Sequence, residues 1–555
     1  MHKTTPFFVL QTRNLLVLWF VFFFGFSSAQ DLFSAPQNPR AELNSNRLWW
    51  DVQHYALEIE VLVDQRKIVG KNTISYAVLP GVENTGIMQI DLQTPMEITK
   101  ITDGEGNSLK FTQEPDSYLV EVKNVSKDSK LVVYFQGIPK VAPKAPWEGG
   151  FTWARDRTGA TFVSTSCQGE GSSLWWPGKD HPTDEPQNGM TLKITTPSNL
   201  VGVSNGQLIQ REEGEKKSSY TWQVKSPINL YNISLNAGRY QNWKQKYNGL
   251  NGELDLSYYV IAEDLDKSVT HFSDVKKTLD AFEYWFGPYP FYQDGFKLIQ
   301  TPFLGMEHQS GIAYGNHFLK GYLGGDISGT GLGMLFDYII VHETAHEWWG
   351  NSVSVKDVAD LWVHEAFACY SEALFVSYHL DAKSGEDYIL GLRENIRNDA
   401  PIIGKYGLGI EGSSDMYSKG ANLLHMISKY HTQESWRQTL MGIQKEFYQQ
   451  TVTGKQIEDY LKQKTPKADL SLIFDQYLRS EKIPILDIQK TKSGIKYQLK
   501  NCNESLVMPI SLIFEKGMTP VWITASTQTA ELSLDKTKLK SLKVDPGFYL
   551  NVKIR

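Results

Sequence analysis

The chain has 555 residues, of which 41% are hydrophobic and 21% charged, and its formal net charge at pH 7 is −6. This length suits several domains with sizeable cores, and the composition is that of a soluble globular protein. No basic stripe is present, which argues against a nucleic-acid-binding protein. Cys167, Cys369 and Cys502 are too few and too scattered for a disulfide framework or a cysteine metal site.

The N-terminus has the pattern of a signal peptide. Lys3 and Arg13 precede an apolar run over 15–26, and small residues follow up to Ala29. The run is short for a membrane span, which needs roughly 17 to 25 residues. We expect a signal peptide over 1–29 that is cleaved after Ala29. The protein would then be exported, to the periplasm or the medium, without a stable membrane span; the alternative is an uncleaved anchor.

Three regions of different periodicity follow. From 30 to 240, apolar and polar residues alternate in short runs between turn-rich breaks, which is typical of half-buried strands. From 241 to 483 the pattern is mostly helical, and after Pro484 strand-like runs return. The sequence therefore predicts a multidomain α+β protein, with an N-terminal β domain (30–240), a mainly helical domain (241–483) and a small C-terminal β-sandwich (484–555).

A metal-binding motif lies within the helical region. On a helix, His342 and His346 are four residues apart and share a face, so both imidazoles can bind one ion. A carboxylate from a following helix would complete the protein ligands of a catalytic zinc site, whose fourth position stays open for water. Glu365, after eighteen intervening residues, is the candidate. Glu343 would lie beside the metal and act as the general base towards zinc-activated water.

The flanks of this motif favour a helix. The run VHETAHEWWGN is preceded by apolar residues near helical spacing, and Gly350-Asn351 is a plausible stop signal. The apolar residues are Met334, Leu335, Tyr338, Ile339 and Val341. The alternative is a surface helix with two histidines and acidic neighbours.

Five segments resemble the zinc aminopeptidases related to aminopeptidase N and leukotriene hydrolase, a gluzincin group. HETAHEWWGN resembles the family's zinc helix, and DLWVHEAFACYSE resembles the segment of the third ligand. FGPYPFYQDGFKLIQTPF is similar to the stretch before the G-x-M-E-N exopeptidase motif. SCQGEGSSLWWPGKDHPTDEP and YSKGANLLHMI resemble the segments of a second amine-binding residue and of the transition-state tyrosine. The resemblance implies a thermolysin-like catalytic domain with one Zn²⁺ per chain.

The resemblance also implies the roles of further residues. Tyr417 would stabilise the oxyanion, and Glu307 and Glu170 would bind the α-ammonium group of a peptide substrate. Gly305 and Met306 would also contact substrate, Met306 as a wall of the first side-chain pocket. The alternatives are a buried aromatic for Tyr417, solvated surface acids for the two glutamates and a core role for Met306.

Two departures from the family pattern stand out. Leu304 and His308 replace the first and last residues of G-x-M-E-N, so substrate contacts through these positions are in doubt. Many relatives continue into a long helical domain that covers the active site, whereas this chain ends at Arg555. We expect a short form without that cap.

One further residue follows from helical spacing. Glu372 is seven positions after Glu365, so it lies on the same helical face and could accept a hydrogen bond from a zinc-binding histidine.

The leading hypothesis from these motifs is a zinc aminopeptidase that acts on peptides with a free N-terminus. The alternatives are an endopeptidase or dipeptidase of the same zinc class, a non-catalytic peptide-binding protein, and an epoxide hydrolase side activity.

Overall fold

The computed structural model describes residues 41–122 and 129–555. The predicted signal peptide, residues 1–29, lies outside the described residues. All described residues belong to one compact unit, so the domain boundaries at 240 and 483 stay predictions. In the described part of the chain, no helix is long and apolar enough to cross a bilayer.

The N-terminal region is built from β-sheets, as the alternating pattern predicts. A seven-stranded sheet has the order β12-β13-β10-β1-β2-β7-β4, and sheets β11-β14-β9-β8 and β3-β6-β5 accompany it. In β1, Tyr55, Leu57, Ile59 and Val61 are buried in alternation with more exposed residues. A short helix, α1 (Ser45–Leu48), precedes the first strand. Among the described residues, the strands are β1 (Trp50–Leu62), β2 (Lys67–Val78), β3 (Ile87–Asp91), β4 (Glu97–Asp103), β5 (Phe111–Glu114), β6 (Ser117–Glu121), β7 (Ser129–Gly137), β8 (Gly150–Arg155), β9 (Thr161–Ser166), β10 (Met190–Pro197), β11 (Val201–Val203), β12 (Gln207–Glu213), β13 (Lys217–Val224) and β14 (Asn236–Gly238).

The middle region combines one five-stranded sheet with helices. The sheet has the order β15-β16-β17-β19-β18, and a small parallel pair, β20-β21, lies later in the chain. The strands are β15 (Tyr240–Gly249), β16 (Gly252–Ile261), β17 (Phe296–Gln300), β18 (Gly305–Met306), β19 (Ile312–Tyr314), β20 (Val353–Val355) and β21 (Gln450–Val452). The helices are α2 (Leu265–His271), α3 (Asp274–Phe286), α4 (Tyr338–Ala345), α5 (Trp362–His379), α6 (Ala382–Gly391), α7 (Ser418–Ser428), α8 (Gln433–Glu446), α9 (Gly454–Lys464) and α10 (Leu470–Tyr477).

The C-terminal region returns to β structure, which confirms the α+β class. A four-stranded sheet has the order β26-β23-β22-β28 and a three-stranded sheet the order β25-β24-β27. Leu486, Ile488, Ile510 and Leu512 of these sheets join the apolar core of the middle region. The elements are β22 (Ile485–Lys490), β23 (Gly494–Lys500), β24 (Met508–Ile513), β25 (Val521–Ala525), β26 (Ala530–Ser533), α11 (Lys536–Ser541), β27 (Lys543–Val544) and β28 (Asn551–Ile554).

Helix α4, which carries the metal motif, is shorter than its flanking sequence predicts. Met334 and Leu335 lie in a separate 3-10 turn over Leu332–Leu335, so the prediction that they belong to the helix is wrong. The helix begins after Asp337, whose side chain accepts hydrogen bonds from the first free backbone N–H groups. It ends at Ala345 rather than at Gly350, because the chain turns where His346 becomes the C-cap residue.

Candidate metal centre and active site

Three side chains from two helices converge on one point. His342 lies in α4, His346 caps the C-terminal end of that helix, and Glu365 lies in the first turn of α5. The two Nε2 atoms are 3.3 Å apart. Oε2 of Glu365 lies 3.6 Å from Nε2 of His342 and 3.5 Å from Nε2 of His346. The predicted ligand set is therefore assembled in space.

These spacings fit a zinc ion. Ligand atoms bound tetrahedrally at about 2.0–2.1 Å from zinc lie roughly 3.3–3.4 Å from one another. The Glu365 Oε2 atom is buried without a hydrogen-bond partner, as expected for an atom that binds a cation. Two imidazoles with one carboxylate are also a donor set of catalytic zinc sites.

The outer ring nitrogens of both histidines are held by acceptors. Nδ1 of His346 lies 2.8 Å from the backbone oxygen of Trp349, which can only accept a hydrogen bond. Nδ1 of His342 lies 2.8 Å from Oε1 of Glu372, whose Oε2 accepts a 2.6 Å bond from the Tyr388 hydroxyl. With the proton on Nδ1, each Nε2 presents a lone pair to the shared point.

The charges around this point favour a bound cation. Burial acts against an ionised Glu365, but the imidazoles of His346 and His342 lower its pKa well below the usual range. Burial also acts against charged imidazoles, yet the surrounding carboxylates raise the pKa of His342 well above its ordinary value and that of His346 to about 9. A cation placed among these groups would neutralise the buried carboxylates.

Glu343 lies beside the ligands rather than among them. Its side chain is only 7% exposed. Burial, with Glu307 and Glu365 nearby, raises its pKa to about 7 against the opposing effect of the histidines. Gly305 of β18 packs directly against it: a Cβ atom at that position would lie 2.9 Å from Oε1 of Glu343. The backbone of the G-x-M-E segment therefore closely approaches this carboxylate.

Glu307 is a buried acid, so the alternative of a solvated surface residue is wrong. Only 3% of the residue is exposed, and burial raises the pKa of its carboxyl. Its Oε1 accepts hydrogen bonds from Nε2 of Gln168 (2.6 Å) and from the hydroxyl of Tyr231 (3.0 Å). Potential ligand atoms of Glu307, Glu343 and His346 all lie within 4.8 Å of one another. A second group that can hold a cation thus adjoins the metal ligands.

Tyr417 lies directly before α7, and it is 37% exposed, so it is not a buried core aromatic. Its ring lies nearly parallel to that of His342, with 6.2 Å between the centroids. Desolvation and the carboxylates of Glu365 and Glu307 raise the pKa of its hydroxyl well above the ordinary value. The hydroxyl therefore remains protonated and able to donate.

Met306 and Glu170, which are also predicted to contact substrate, differ from Glu307 in their surroundings. Met306 is 5% exposed and belongs to the apolar core of the N-terminal region, as its alternative role requires. Glu170 directs Oε2 towards Gly149, where that atom is buried without a hydrogen-bond partner. It is Gln168, two positions earlier, that contacts Glu307.

The two residues that depart from G-x-M-E-N, Leu304 and His308, are both at least partly buried. Leu304 is partly buried and packs against the core of the middle region. His308 is 1% exposed, and neither ring nitrogen has a hydrogen-bond partner. Burial lowers the pKa of His308 to about 3, so its ring is neutral.

Comparison with known proteins agrees with this geometry. Residues 271–477 match the model of the Peptidase family M1 domain. The middle region of the chain therefore carries an M1 peptidase domain. It is 23% identical over 474 residues to a probable aminopeptidase 2 of Sulfurisphaera tokodaii, and 22% identical over 477 residues to a leucyl aminopeptidase of Saccharolobus solfataricus. Each alignment covers 80% of this chain and 57% of the relative, so the chain spans little more than half the length of these relatives.

Solved M1 structures share the fold. A zinc metallopeptidase variant from Deinococcus radiodurans superposes with a TM-score of 0.66 at 18% identity, covering 79% of this chain and 96% of that one. Another structure of an M1 variant from the same organism, bound to a Tyr-Ser-Ala substrate, gives a TM-score of 0.64 at 17% identity, with the same shares covered.

Proposed function

We propose that this M1 protein is a zinc-dependent aminopeptidase that hydrolyses the N-terminal peptide bond of peptides. The observation that carries the proposal is the buried carboxylate of Glu307 next to Glu343 and His346. A metal site with a general base fits any zinc peptidase. A second buried acid within 4.8 Å of that base fits an enzyme that binds a substrate's cationic chain end.

Glu343 is proposed as the general base that takes a proton from a metal-activated water molecule. His342, His346 and Glu365 would hold a zinc ion, which would supply a Lewis acid for the scissile carbonyl and lower the pKa of water. Glu343 then accepts the proton from the attacking water and passes it to the leaving amine. Burial, which raises the pKa of Glu343, suits a carboxylate that accepts a proton and then returns it. Glu372 fixes the orientation of His342 through the 2.8 Å contact at Nδ1.

Tyr417 is proposed to stabilise the transition state. Its hydroxyl would donate a hydrogen bond to the carbonyl oxygen as negative charge develops there. The raised pKa supports this role because a protonated hydroxyl is required. The distance of 6.2 Å between the ring centroids of Tyr417 and His342 also supports it.

The α-ammonium group of the substrate is assigned to Glu307. Gln168 and Tyr231 orient the carboxylate through Oε1, and burial strengthens its attraction for a cation. Glu170 remains a proposed second acid, because its Oε2 is buried without a hydrogen-bond partner, as expected for an atom that binds a cation.

A cavity of about 80 Å³ adjoins Gln168 and Tyr231 and is proposed to receive the first side chain of the substrate. Val358 and Leu361 contribute apolar walls to this cavity, whereas Asp180, Lys356 and Asp357 contribute charged groups. A panel of aminoacyl fluorogenic substrates would measure which N-terminal residues the cavity favours.

Export is a separate proposal, and it is supported by the sequence alone. The charged start, the apolar run over 15–26 and the small residues before Gln30 suit cleavage after Ala29. Sequencing the N-terminus of the mature protein from cell fractions tests it, and an intact residue 1 in a cytoplasmic fraction would contradict it.

The proposed activity is tested by Glu343→Gln. This variant should bind one zinc per chain while kcat on a free aminoacyl substrate falls by about 10²–10⁴-fold, because only the proton acceptor is removed. Glu458→Gln is a matched control: Glu458 is also buried, at 6% exposure, but pairs with Arg479 in another part of the domain. Normal turnover by zinc-loaded Glu343→Gln would contradict the assignment.

A further inference from the structure

Asn351 links the metal-binding end of the site to the amine-binding end. Its backbone N–H donates a 3.0 Å hydrogen bond to the carbonyl oxygen of His346, a metal ligand. Its side-chain Nδ2 donates a 2.9 Å bond to the carbonyl oxygen of Glu307. One residue in the turn after α4 therefore connects two groups that come from different elements of the fold.

The orientation of the Asn351 amide is fixed from outside the site. Nδ2 of Asn232 donates a 2.8 Å hydrogen bond to Oδ1 of Asn351, so the amide nitrogen of Asn351 must face Glu307. Asn351 is 2% exposed and Asn232 is fully buried, so water cannot readily replace these bonds. The loop that bears Glu307 is held in one position by this chain of amides.

A second contact from the same turn holds the other end of this loop. Oε1 of Glu347 accepts a 2.8 Å hydrogen bond from the backbone N–H of Ser310. Ser310 has a φ of 51°, in the left-handed region that a serine rarely adopts. Glu347 is fully buried, and its other oxygen accepts a 3.2 Å bond from Tyr289. The turn after α4 thus fixes the loop on both sides of His308.

We propose that Asn351 is a positioning residue that sets the spacing between Glu307 and the metal ligands, and that this spacing restricts the enzyme to α-amino substrates. The inference rests on the proposed function, in which Glu307 binds the substrate's amine. In an α-aminoacyl substrate the amine and the scissile carbonyl are separated by one carbon, and a β-amino substrate adds one more. A misplacement of about 1 Å can cost about 10²-fold in rate, so a fixed spacing discriminates between the two.

The test compares leucine anilide with β-homoleucine anilide, whose amine is one methylene further from the carbonyl. The ratio of kcat/KM for the two substrates is measured for the zinc-loaded wild type, Asn351→Ala and Asn351→Asp. Asn351→Asp keeps an acceptor for Asn232 but cannot donate to Glu307. Asn72→Ala is the control, because Asn72 is fully buried and its Nδ2 donates a 2.8 Å bond to the carbonyl oxygen of Pro177, in the N-terminal region. Zinc content and the thermal unfolding midpoint are measured for every variant.

Both Asn351 variants should retain one zinc per chain and lower kcat/KM for leucine anilide by about 10-fold or more, mainly through KM. The ratio of kcat/KM for leucine anilide to that for β-homoleucine anilide should fall by about 10-fold in both Asn351 variants. Asn72→Ala should keep the wild-type ratio. An unchanged preference in the folded, zinc-loaded Asn351 variants would overturn the inference and leave the proposed function standing. N-acetyl-leucine anilide is included as a third substrate, and a wild type that cleaves it as fast as leucine anilide would overturn the proposed function as well.

Discussion

The carboxylate of Glu372 lies 2.8 Å from Nδ1 of His342, on the side of the imidazole opposite the atom that faces Glu365. Acceptors of this kind fix the tautomer and the orientation of a metal-binding histidine. We expect Glu372→Ala to weaken zinc binding by about 10–100-fold. Competition with a chelator of known affinity measures this change, with Glu458→Ala as a control for the loss of a buried glutamate. Equal zinc affinity in Glu372→Ala and the wild type would show that the contact has no influence on the metal.

Gln168 and Tyr231 should affect substrate binding, because both donate hydrogen bonds to Glu307. Removing a hydrogen bond to a buried charged group costs about 1.5–3 kcal/mol, so Gln168→Ala or Tyr231→Phe should raise KM for free-amine substrates by roughly 10–100-fold. Zinc content should not change, because neither side chain is a metal ligand. Steady-state kinetics with metal analysis tests this, and a loss confined to kcat would instead assign these residues to the chemical step.

Tyr417→Phe should reduce kcat by about 10²–10³-fold with little effect on KM, because the lost hydrogen bond forms mainly in the transition state. Tyr430→Phe is a suitable control, since that hydroxyl bonds to the backbone of Pro509 away from the metal ligands. A change in KM alone would point to ground-state binding by Tyr417.

The sequence predicts the metal ligands well because they are local features of two helices. The spacing of His342 and His346 and the helical position of Glu372 relative to Glu365 each fix a direction in space. The strands of the N-terminal and C-terminal regions are also recognisable from their alternating pattern, as in β1 and β23.

Contacts between distant segments could not be predicted in this way. Tyr231 reaches Glu307 across 76 positions of the chain, and Asn232 reaches Asn351 across 119. Asn351 belongs to the motif segment, but on its own it reads as a helix stop signal. The early end of α4 depends on the turn at His346, which local propensity does not reveal.

Glu185 gives a prediction for the dependence of stability on pH. Burial raises the pKa of this carboxyl from 4.5 to about 7, against hydrogen bonds from Ser354 and Asn229. The folded protein therefore binds the proton more tightly than the unfolded chain. The contribution of this group to the free energy of unfolding is therefore fully present below pH 4.5. It is lost as the pH rises through about 7, and the loss is at most about 3 kcal/mol.

Glu185→Gln should remove this loss of stability at high pH, because glutamine cannot ionise. The variant should unfold at a higher temperature than the wild type at pH 8, and the difference should shrink at pH 5. Thermal unfolding of the zinc-loaded proteins at the two pH values measures it. A variant that is less stable at pH 8 would show that the ionised carboxylate stabilises the fold.

Recognition of a free chain end through Glu307 is the step that distinguishes an aminopeptidase from an endopeptidase. It can be tested by mass spectrometry of the products from two peptides of identical sequence, one with a free and one with an acetylated N-terminus. Acetylation removes the positive charge that a buried carboxylate attracts. We expect stepwise loss of single N-terminal residues from the free peptide and almost no cleavage of its acetylated counterpart. Internal cleavage of both peptides at comparable rates would contradict it and identify an endopeptidase.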